Sequence, residues 1–279
     1  MIGGSETSIL IPSSTTMESA DVRIRTLKIG LIARAAAVFR VDRIVIYRDE
    51  EFDDSRFISR VLQYAETPQY LRKRLFPRMR ELRYVGILPP LRTAHHPTNS
   101  KVSTLKVGEF RVGLVVDEVG SDNGAWVDIG VERPLPLKTA RRFPVGQRLN
   151  VRIFSLKPLA AEPVDRSEIP HYWGYETEIV PSLEEHVRST ESLVVATSRQ
   201  GTPATPDLLS SMLRQSRQRG LDVVFGSPAR GVDAFLSSET MEGCCMINTI
   251  PHQGTETVRL EEAIFATLSE VNLMRSLEG

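Results

Sequence analysis

Cysteine is almost absent: the 279 residues hold two, and these are neighbours, Cys244 and Cys245. Adjacent residues of a strand point to opposite faces. The pair therefore reads neither as a structural disulfide nor as part of a metal site, and a reduced intracellular setting fits. Long apolar runs are also missing. No stretch reaches the roughly 18 apolar residues of a membrane span, and no basic-then-apolar leader opens the chain. The expectation is a cytoplasmic protein with no membrane and no metal. Charge of one sign is not in excess, because 35 Lys and Arg stand against 35 Asp and Glu. No global basic field announces a nucleic acid, although a local patch suffices to hold a phosphate backbone. The common catalytic signatures are missing as well. There is no Walker A loop, no Gly-x-Gly-x-x-Gly, no Gly-x-Ser-x-Gly elbow and no cysteine placed as a nucleophile. A tightly held triphosphate, a nicotinamide cofactor and a serine or thiol hydrolase are all disfavoured.

What is present is ordinary globular composition, 41% hydrophobic and 25% charged, in a length that holds one large or two modest domains. Ser8–Pro12 reads as a strand. Residues 21–39 have a helical apolar stripe, with Gly30 as a candidate break. Arg43–Tyr47 is a second strand. Residues 53–82 read as two helices parted by Thr67 and Pro68. This β-α-β-α order is an α/β signature. The second of those helices is basic, with Arg72, Lys73, Arg74, Arg78 and Arg80; a solvated face and a phosphate-binding face both fit.

At Leu88-Pro89-Pro90-Leu91-Arg92 the texture changes. His95-His96-Pro97 follows in a polar loop without the further ligands of a metal site. From 101 to 158 the pattern is all strand: 108–116, 125–129 and 148–154, with turns at 120–124, 130 and 144–146. Residues 93–163 are expected to form a small OB-like β-barrel inserted into an α/β domain of 8–92 with 164–279. Arg141, Arg142, Arg148 and Arg152 suit either RNA or a plain barrel surface. Residues 159–175 read as a polar return linker. Then come a short helix at 183–188, a strand at 192–197, a helix over 206–219, a strand at 221–225 and an apolar run at 244–247. A last helix is capped by Thr255 or Thr257.

Three loops follow the last three strands: Thr197-Ser198-Arg199-Gln200-Gly201, Phe225-Gly226-Ser227-Pro228-Ala229-Arg230-Gly231, and Ile247 to Thr257. Backbone-rich loops at the carboxyl ends of adjacent strands form the ligand edge of an open α/β sheet. By themselves these residues imply an α/β cofactor binder with a β-barrel insert.

Three segments then resemble the motifs of the SPOUT superfamily of knotted, S-adenosylmethionine-dependent RNA methyltransferases. Lys28 to Ala36 with Phe39 looks like the first motif, Phe225 to Gly231 like the second, and Asn248-Thr249-Ile250-Pro251 with Gln253 to Arg259 like the third. Pro228 stands where many relatives have Glu, and the Ser-Leu-Asn of the ribose methyltransferases is missing. The layout is similar to the archaeal and eukaryotic branch with an OB-like insert. The resemblance implies an α/β, Rossmann-like domain with a C-terminal trefoil knot, a homodimer, and uridine-N3 methylation of large-subunit ribosomal RNA. It places S-adenosyl-L-methionine against Thr197, Ser198, Arg199, Gly201, Phe225, Gly226, Ser227, Pro228, Gly231, Asn248, Ile250, Pro251, Gln253, Gly254, Thr255, Thr257 and Val258. Arg34 corresponds to the first-motif arginine, which grips the target. Glu256 either orients the target base or caps the last helix. The rival reading is a non-catalytic RNA-binding or ribosome-assembly protein that keeps the fold.

Overall fold

The structure, a computed structural model, describes residues 6–116 and 125–278. The chain separates into two compact units: Met1–Glu66, Arg80–Leu91 and Gly174–Gly279 form one, and Thr67–Met79 with Arg92–Trp173 form the other. The second unit takes in Gln69–Leu75 as well as the stretch read as an insert.

The first unit is built on six strands: β1 (Thr7–Pro12), β2 (Arg43–Tyr47), β8 (Glu176–Val180), β9 (Leu193–Pro203), β10 (Leu221–Val224) and β11 (Cys245–Asn248). Their order is β11-β9-β10-β1-β2-β8, and every neighbouring pair is parallel. A parallel sheet needs cover on both faces, so its strands are apolar on both. Leu10, Val45, Tyr47, Val194, Ala196 and Val224 share one face with Leu183, Val232 and Leu236. The alternate residues Ile9, Ile11, Ile44, Ile46, Val195 and Val223 are equally buried and face the other side. Each such side chain contributes about 1.5–3 kcal/mol.

α1 (Val22–Val38) begins at Asp21, whose carboxylate accepts from the Arg23 amide, and runs unbroken through Gly30. The expected break there is not found. A Cβ at Gly30 would lie 2.7 Å from Leu88 Cδ2 and 3.0 Å from Pro89 Cδ, so the glycine serves close packing rather than a bend. α2 (Ser55–Glu66) follows β2. α7 (Leu260–Glu278) returns along α1 and the start of β1, through Phe39–Phe265 edge packing and an Arg275 bond to Thr7 Oγ1 at 2.7 Å. α4 (Leu183–Ser189), α5 (Pro206–Ser216) and α6 (Ser238–Glu242) complete the unit.

The second unit is a five-stranded antiparallel sheet of β3 (Phe110–Val116), β4 (Trp126–Asp128), β5 (Leu135–Pro136), β6 (Arg148–Leu156) and β7 (Leu159–Pro163), in the order β5-β4-β3-β6-β7. Its far edges approach each other where Leu137 bridges Ala161 and the Lys138 amide donates to the Ala161 carbonyl at 2.7 Å. Leu105, Val127, Ile129, Leu135, Leu137, Val151, Ile153 and Ala161 fill one side. Helix α3 (Gln69–Leu75) covers Val112 and Leu114 on the other, with Leu71 buried and Tyr70 Oη donating to the Val112 carbonyl at 2.6 Å. Gly130, at φ +80°, lies where a Cβ would strike the Tyr70 ring at 2.3 Å.

Several readings are corrected. Residues 159–163 are a strand, not a linker, because Leu159 and Ala161 complete the sheet core. β8 was not anticipated. The basic helix ends at Leu75, so Arg72, Lys73 and Arg74 are helical while Arg78 is not, and Arg80 lies in a separate turn of the first unit. α7 starts at Leu260, beyond Thr255 and Thr257, which do not cap it. The turn expected at 120–124 lies outside the described residues.

Candidate functional site

Because all six strands of the first unit are parallel, their carboxyl ends share one edge. The chain order reverses beside β1, which pairs with β2 on one flank and β10 on the other. Such a reversal opens a crevice in an α/β sheet. Onto this edge open residues 13–16 after β1, 48–54 after β2, 225–231 after β10 and 249–259 after β11. The segment 197–201 differs from expectation: it belongs to β9. β11 advances one residue, from Met246 to Ile247, while β9 advances from Ala196 to Thr202. Residues 197–201 are thus an excursion inside a strand. Gly201 permits it, since a Cβ there would come within 2.5 Å of the Ile247 carbonyl carbon.

This excursion is stapled to the 249–259 loop. Asn248 Nδ2 donates to the Arg199 carbonyl at 3.0 Å, and Arg199 Nη1 donates to the Glu256 carbonyl at 3.2 Å. Gln253 Nε2 reaches the carbonyls of Thr255 and Glu256 at 2.9 and 3.1 Å. The Ile250 amide donates to Asn248 Oδ1 at 2.9 Å. Thr197 Oγ1 donates to the Val224 carbonyl at 3.0 Å, tying the excursion to β10. The structure thus joins residues 197–201 to 248–256 and to the end of β10.

The 225–231 loop is shaped from within and from below. Ser227 Oγ accepts from the amides of Ala229 and Arg230 at 3.2 and 2.8 Å. A Cβ at Gly226 would lie 2.8 Å from the Arg230 carbonyl, and one at Gly231 would strike Asp233. Buried Phe225 donates its amide to Leu10 and accepts from Tyr47 Oη. The Arg230 guanidinium meets Asp49, reaches Glu51 at 3.0 Å, and stacks on Phe235 with 4.9 Å to the ring centre. Asp49 is buried and also accepts from Ser14 Oγ and from the Glu51 amide. Burial, then the Asp49 charge, pushes the Tyr47 phenol well above its ordinary range, with Arg230 opposing, so Tyr47 acts as a donor.

Sequence reading did not find Tyr47, Asp49 or the buried Ser13–Thr16 turn. The available signal was the position of Asp49 just past an apolar strand at the same edge.

Other expected residues fall elsewhere. Arg34 lies twelve residues into α1, about 18 Å along the helix, and α1 runs back from the ligand edge to the start of β2. Its guanidinium donates to the carbonyls of Leu91 and Pro90 at 2.6 and 3.2 Å. Within one chain, then, Arg34 does not meet Glu256, whose exposed residue is held through its own carbonyl. Pro228, Pro251, Thr257 and Val258 lie on the loops of the edge, at or near the surface. Gly254 faces open space, with nothing within 4 Å of a Cβ. In the second unit Arg74 pairs with Asp128 at 3.1 Å and Arg72 Nε donates to the Thr67 carbonyl at 2.9 Å, whereas Lys73, Arg141 and Arg142 are exposed. Cys244 and Cys245 are free, and burial raises both thiols. Among the described residues no group of three His, Cys, Asp or Glu is arranged to hold a metal, and no helix is long and apolar enough to cross a membrane.

An open α/β edge with backbone-rich loops is where folds of this class take small polar cofactors. The family model described as "Putative RNA methyltransferase" matches residues 6–271, and the chain belongs to that family. It is 37% identical to an uncharacterized protein of Haloarcula marismortui, over 96% of this chain and 99% of the other. It is 31% identical to the 28S rRNA (uridine-N(3))-methyltransferase of Homo sapiens, over 94% of this chain and 76% of that one. Among solved structures, the SpoU methyltransferase AviRb of Streptomyces viridochromogenes, in complex with AdoMet, is 12% identical with a TM-score of 0.33, over 99% of this chain and 62% of that one. The chain is thus an RNA methyltransferase whose methyl donor is S-adenosyl-L-methionine. The residues present fit that donor. Hydroxyls of Ser198, Thr255 and Thr257 and the amides of the stapled loops are groups of the kind that hydrogen-bond a nucleoside, and nothing lies within 4 Å of where a Cβ at Gly254 would stand.

Proposed function

We propose that this methyltransferase modifies N3 of a uridine in large-subunit ribosomal RNA, holding its donor in the loops 197–201, 225–231 and 248–258. The observation that carries this reading is the match to the human uridine-N3 enzyme over 94% of the chain, together with loops that leave one sheet edge. Bound there, S-adenosylmethionine offers an electrophilic methyl group on a sulfonium. The protein's part is alignment of acceptor and methyl carbon, which supplies much of the acceleration in such a transfer. Uridine N3 carries a proton at neutral pH. Glu256 is the residue we assign to accept it, since Arg199 and Gln253 fix the backbone at that position. A base paired in a duplex would first be turned out of its stack.

The same reading includes a trefoil knot in the first unit, an OB-like barrel in the second, and a homodimer. For the knot, β11 lies outside β9 while α7 returns to α1 and to Thr7. For the barrel, Leu137 and Ala161 draw the sheet edges together. The face of α7 formed by Leu260, Ile264, Leu268 and Val271 is buried in its own chain and does not offer the dimer surface. The exposed apolar stripe is on α1, where Ile24 and Val38 are 56% and 47% accessible and Leu27 lies between them. Leu31 and Arg34 continue that stripe at spacings of three and four. A second copy seated there would bring its own site toward Arg34.

The test is mass spectrometry of ribosomal RNA nucleosides from a strain lacking the gene, with and without complementation. Loss of 3-methyluridine that the wild-type gene restores and Glu256→Gln does not is the expected result. An unchanged nucleoside profile would overturn the assignment.

A further inference from the structure

In a chain of zero net charge, residues 133–161 contain no Asp or Glu and seven Lys or Arg. Within this segment the structure places an aromatic ring on the surface. β6 advances two residues, Ile153 to Ser155, while β7 advances one, Ala161 to Ala160. Phe154 is therefore the extra residue of a β-bulge, a device that re-aims a side chain. The phenylalanine is 43% accessible, although its neighbours Val151 and Ile153 are fully buried. The Lys138 ammonium stands 3.9 Å from the Phe154 ring centre. It is brought there by the pairing of Leu137 and Lys138 with Ala161. The contact shows that this ring face is one that attracts a cationic group. Arg141, Arg142 and Lys157 are exposed in the same segment, whereas Arg152 is neutralised by Glu162 at 2.6 Å.

We propose that Phe154 is a stacking platform for an unpaired nucleobase of single-stranded RNA, with Lys138 moving from the ring to an adjacent phosphate when the base arrives. Resting on the reading of this chain as an RNA methyltransferase, the proposal adds a site in the second unit and the form of RNA it takes. An exposed ring beside a cation is the pairing that single-strand binders use. Every base has a face to stack, and the charges follow the backbone. A duplex conceals its base faces and gains only from the charges.

The test uses the full-length protein with a fluorescent oligouridylate and with a duplex RNA of equal charge, read by anisotropy over a range of salt. Phe154→Ala is expected to weaken oligouridylate binding about tenfold, with less than a twofold change for the duplex and no change in salt slope. Phe154→Trp should retain affinity and show quenched emission on binding. Arg141→Ala with Arg142→Ala should flatten the salt slope by about 1.4, at roughly 0.7 per lost contact on a single strand. Phe154→Leu separates stacking from simple apolar contact: full affinity in that variant would overturn the proposal. So would equal loss on both RNAs, unchanged affinity in Phe154→Ala, or Phe154-dependent binding of phosphatidylserine vesicles in place of RNA. The two readings fail separately. A protein that needs Phe154 for single strands but transfers no methyl group keeps the platform and loses the reaction; intact transfer with unchanged Phe154→Ala affinity does the reverse.

Discussion

Tyr47 Oη donates a 2.6 Å hydrogen bond to the carbonyl of Phe225, 178 residues away. The bond links the last residue of β2 to the first residue of the loop after β10. It fixes that loop where β10 ends, beside the reversal of strand order. Tyr47 has no solvent exposure and its ring packs edge-on against Phe235 at 5.1 Å. Removing the hydroxyl leaves a buried acceptor unmet, which costs about 1–3 kcal/mol. Tyr47→Phe is therefore expected to lower the urea midpoint and to weaken S-adenosylmethionine binding severalfold in calorimetry. Weakened stability with an unaltered cofactor affinity would show that the loop at 225–231 does not touch the cofactor.

Asp49 and Arg230 form the second strut of the same loop. The carboxylate is buried, while the arginine is 31% exposed and has Glu51 as a further partner. Breaking a fully buried pair costs about 3–5 kcal/mol; partial exposure and the spare partner reduce this to about 1–2 kcal/mol. Asp49→Asn should thus fold, with a modest loss of stability, and should bind cofactor more weakly than Glu51→Gln. Equal behaviour of the two variants would show that Asp49 is not the principal strut.

How far the site was legible depends on the strand before each loop. β10 and β11 are short runs with Gly226 two residues beyond the one and Pro251 and Gly254 within six residues of the other, so composition changes and the loops stand out. β8 was missed because Glu176-Thr177-Glu178-Ile179-Val180 is an edge strand, with Ile179 45% exposed, and its residues are too polar to announce a buried sheet. The excursion at 197–201 looked like a strand end because Ser198 and Gly201 are turn residues. Pairing with β11 resumes only at Thr202, a long-range fact with no local signature. Arg34 carries its expected neighbours in sequence, yet its partners, Pro90 and Leu91, are set by the packing of Leu88 and Pro89 against Gly30. Amino-acid pattern along α1 holds nothing of that contact.

The acid limb of stability should carry the mark of Glu184. Hydrogen bonds from Thr240 first, and from the Ser237 amide and hydroxyl, with Arg188 adding charge, bring its carboxyl down to about 2. A depressed folded-state value means stability that is complete above the unfolded carboxylate range, near 4.5. That stability drains away as pH falls toward about 2. Glu184→Gln should flatten the decline in thermal midpoint between about pH 4.5 and pH 2, with little effect at neutral pH on slope. A decline as steep as that of the wild type would show that other carboxylates govern acid unfolding.

Gly201 and Gly254 lie on stapled partners, yet a methyl group at each meets opposite circumstances. At Gly201 the added carbon falls 2.5 Å from the Ile247 carbonyl carbon and 2.7 Å from its oxygen, both backbone atoms of β11. The strand must move to accept it, and overpacking of that kind costs about 1–3 kcal/mol. At Gly254 no atom lies within 4 Å, and φ is not in the left-handed region. Gly201→Ala is expected to lower the unfolding midpoint and to lose cofactor binding with it. Gly254→Ala should unfold as the wild type does. If the space beside it belongs to S-adenosylmethionine, the same variant loses roughly tenfold or more in affinity, equal to about 1.4 kcal/mol, because the methyl group displaces ligand rather than protein. Parallel urea titrations and calorimetry decide the matter. A Gly254→Ala protein with wild-type stability and wild-type affinity would remove residues 253–255 from the cofactor site and leave it to residues 197–201 and 225–231.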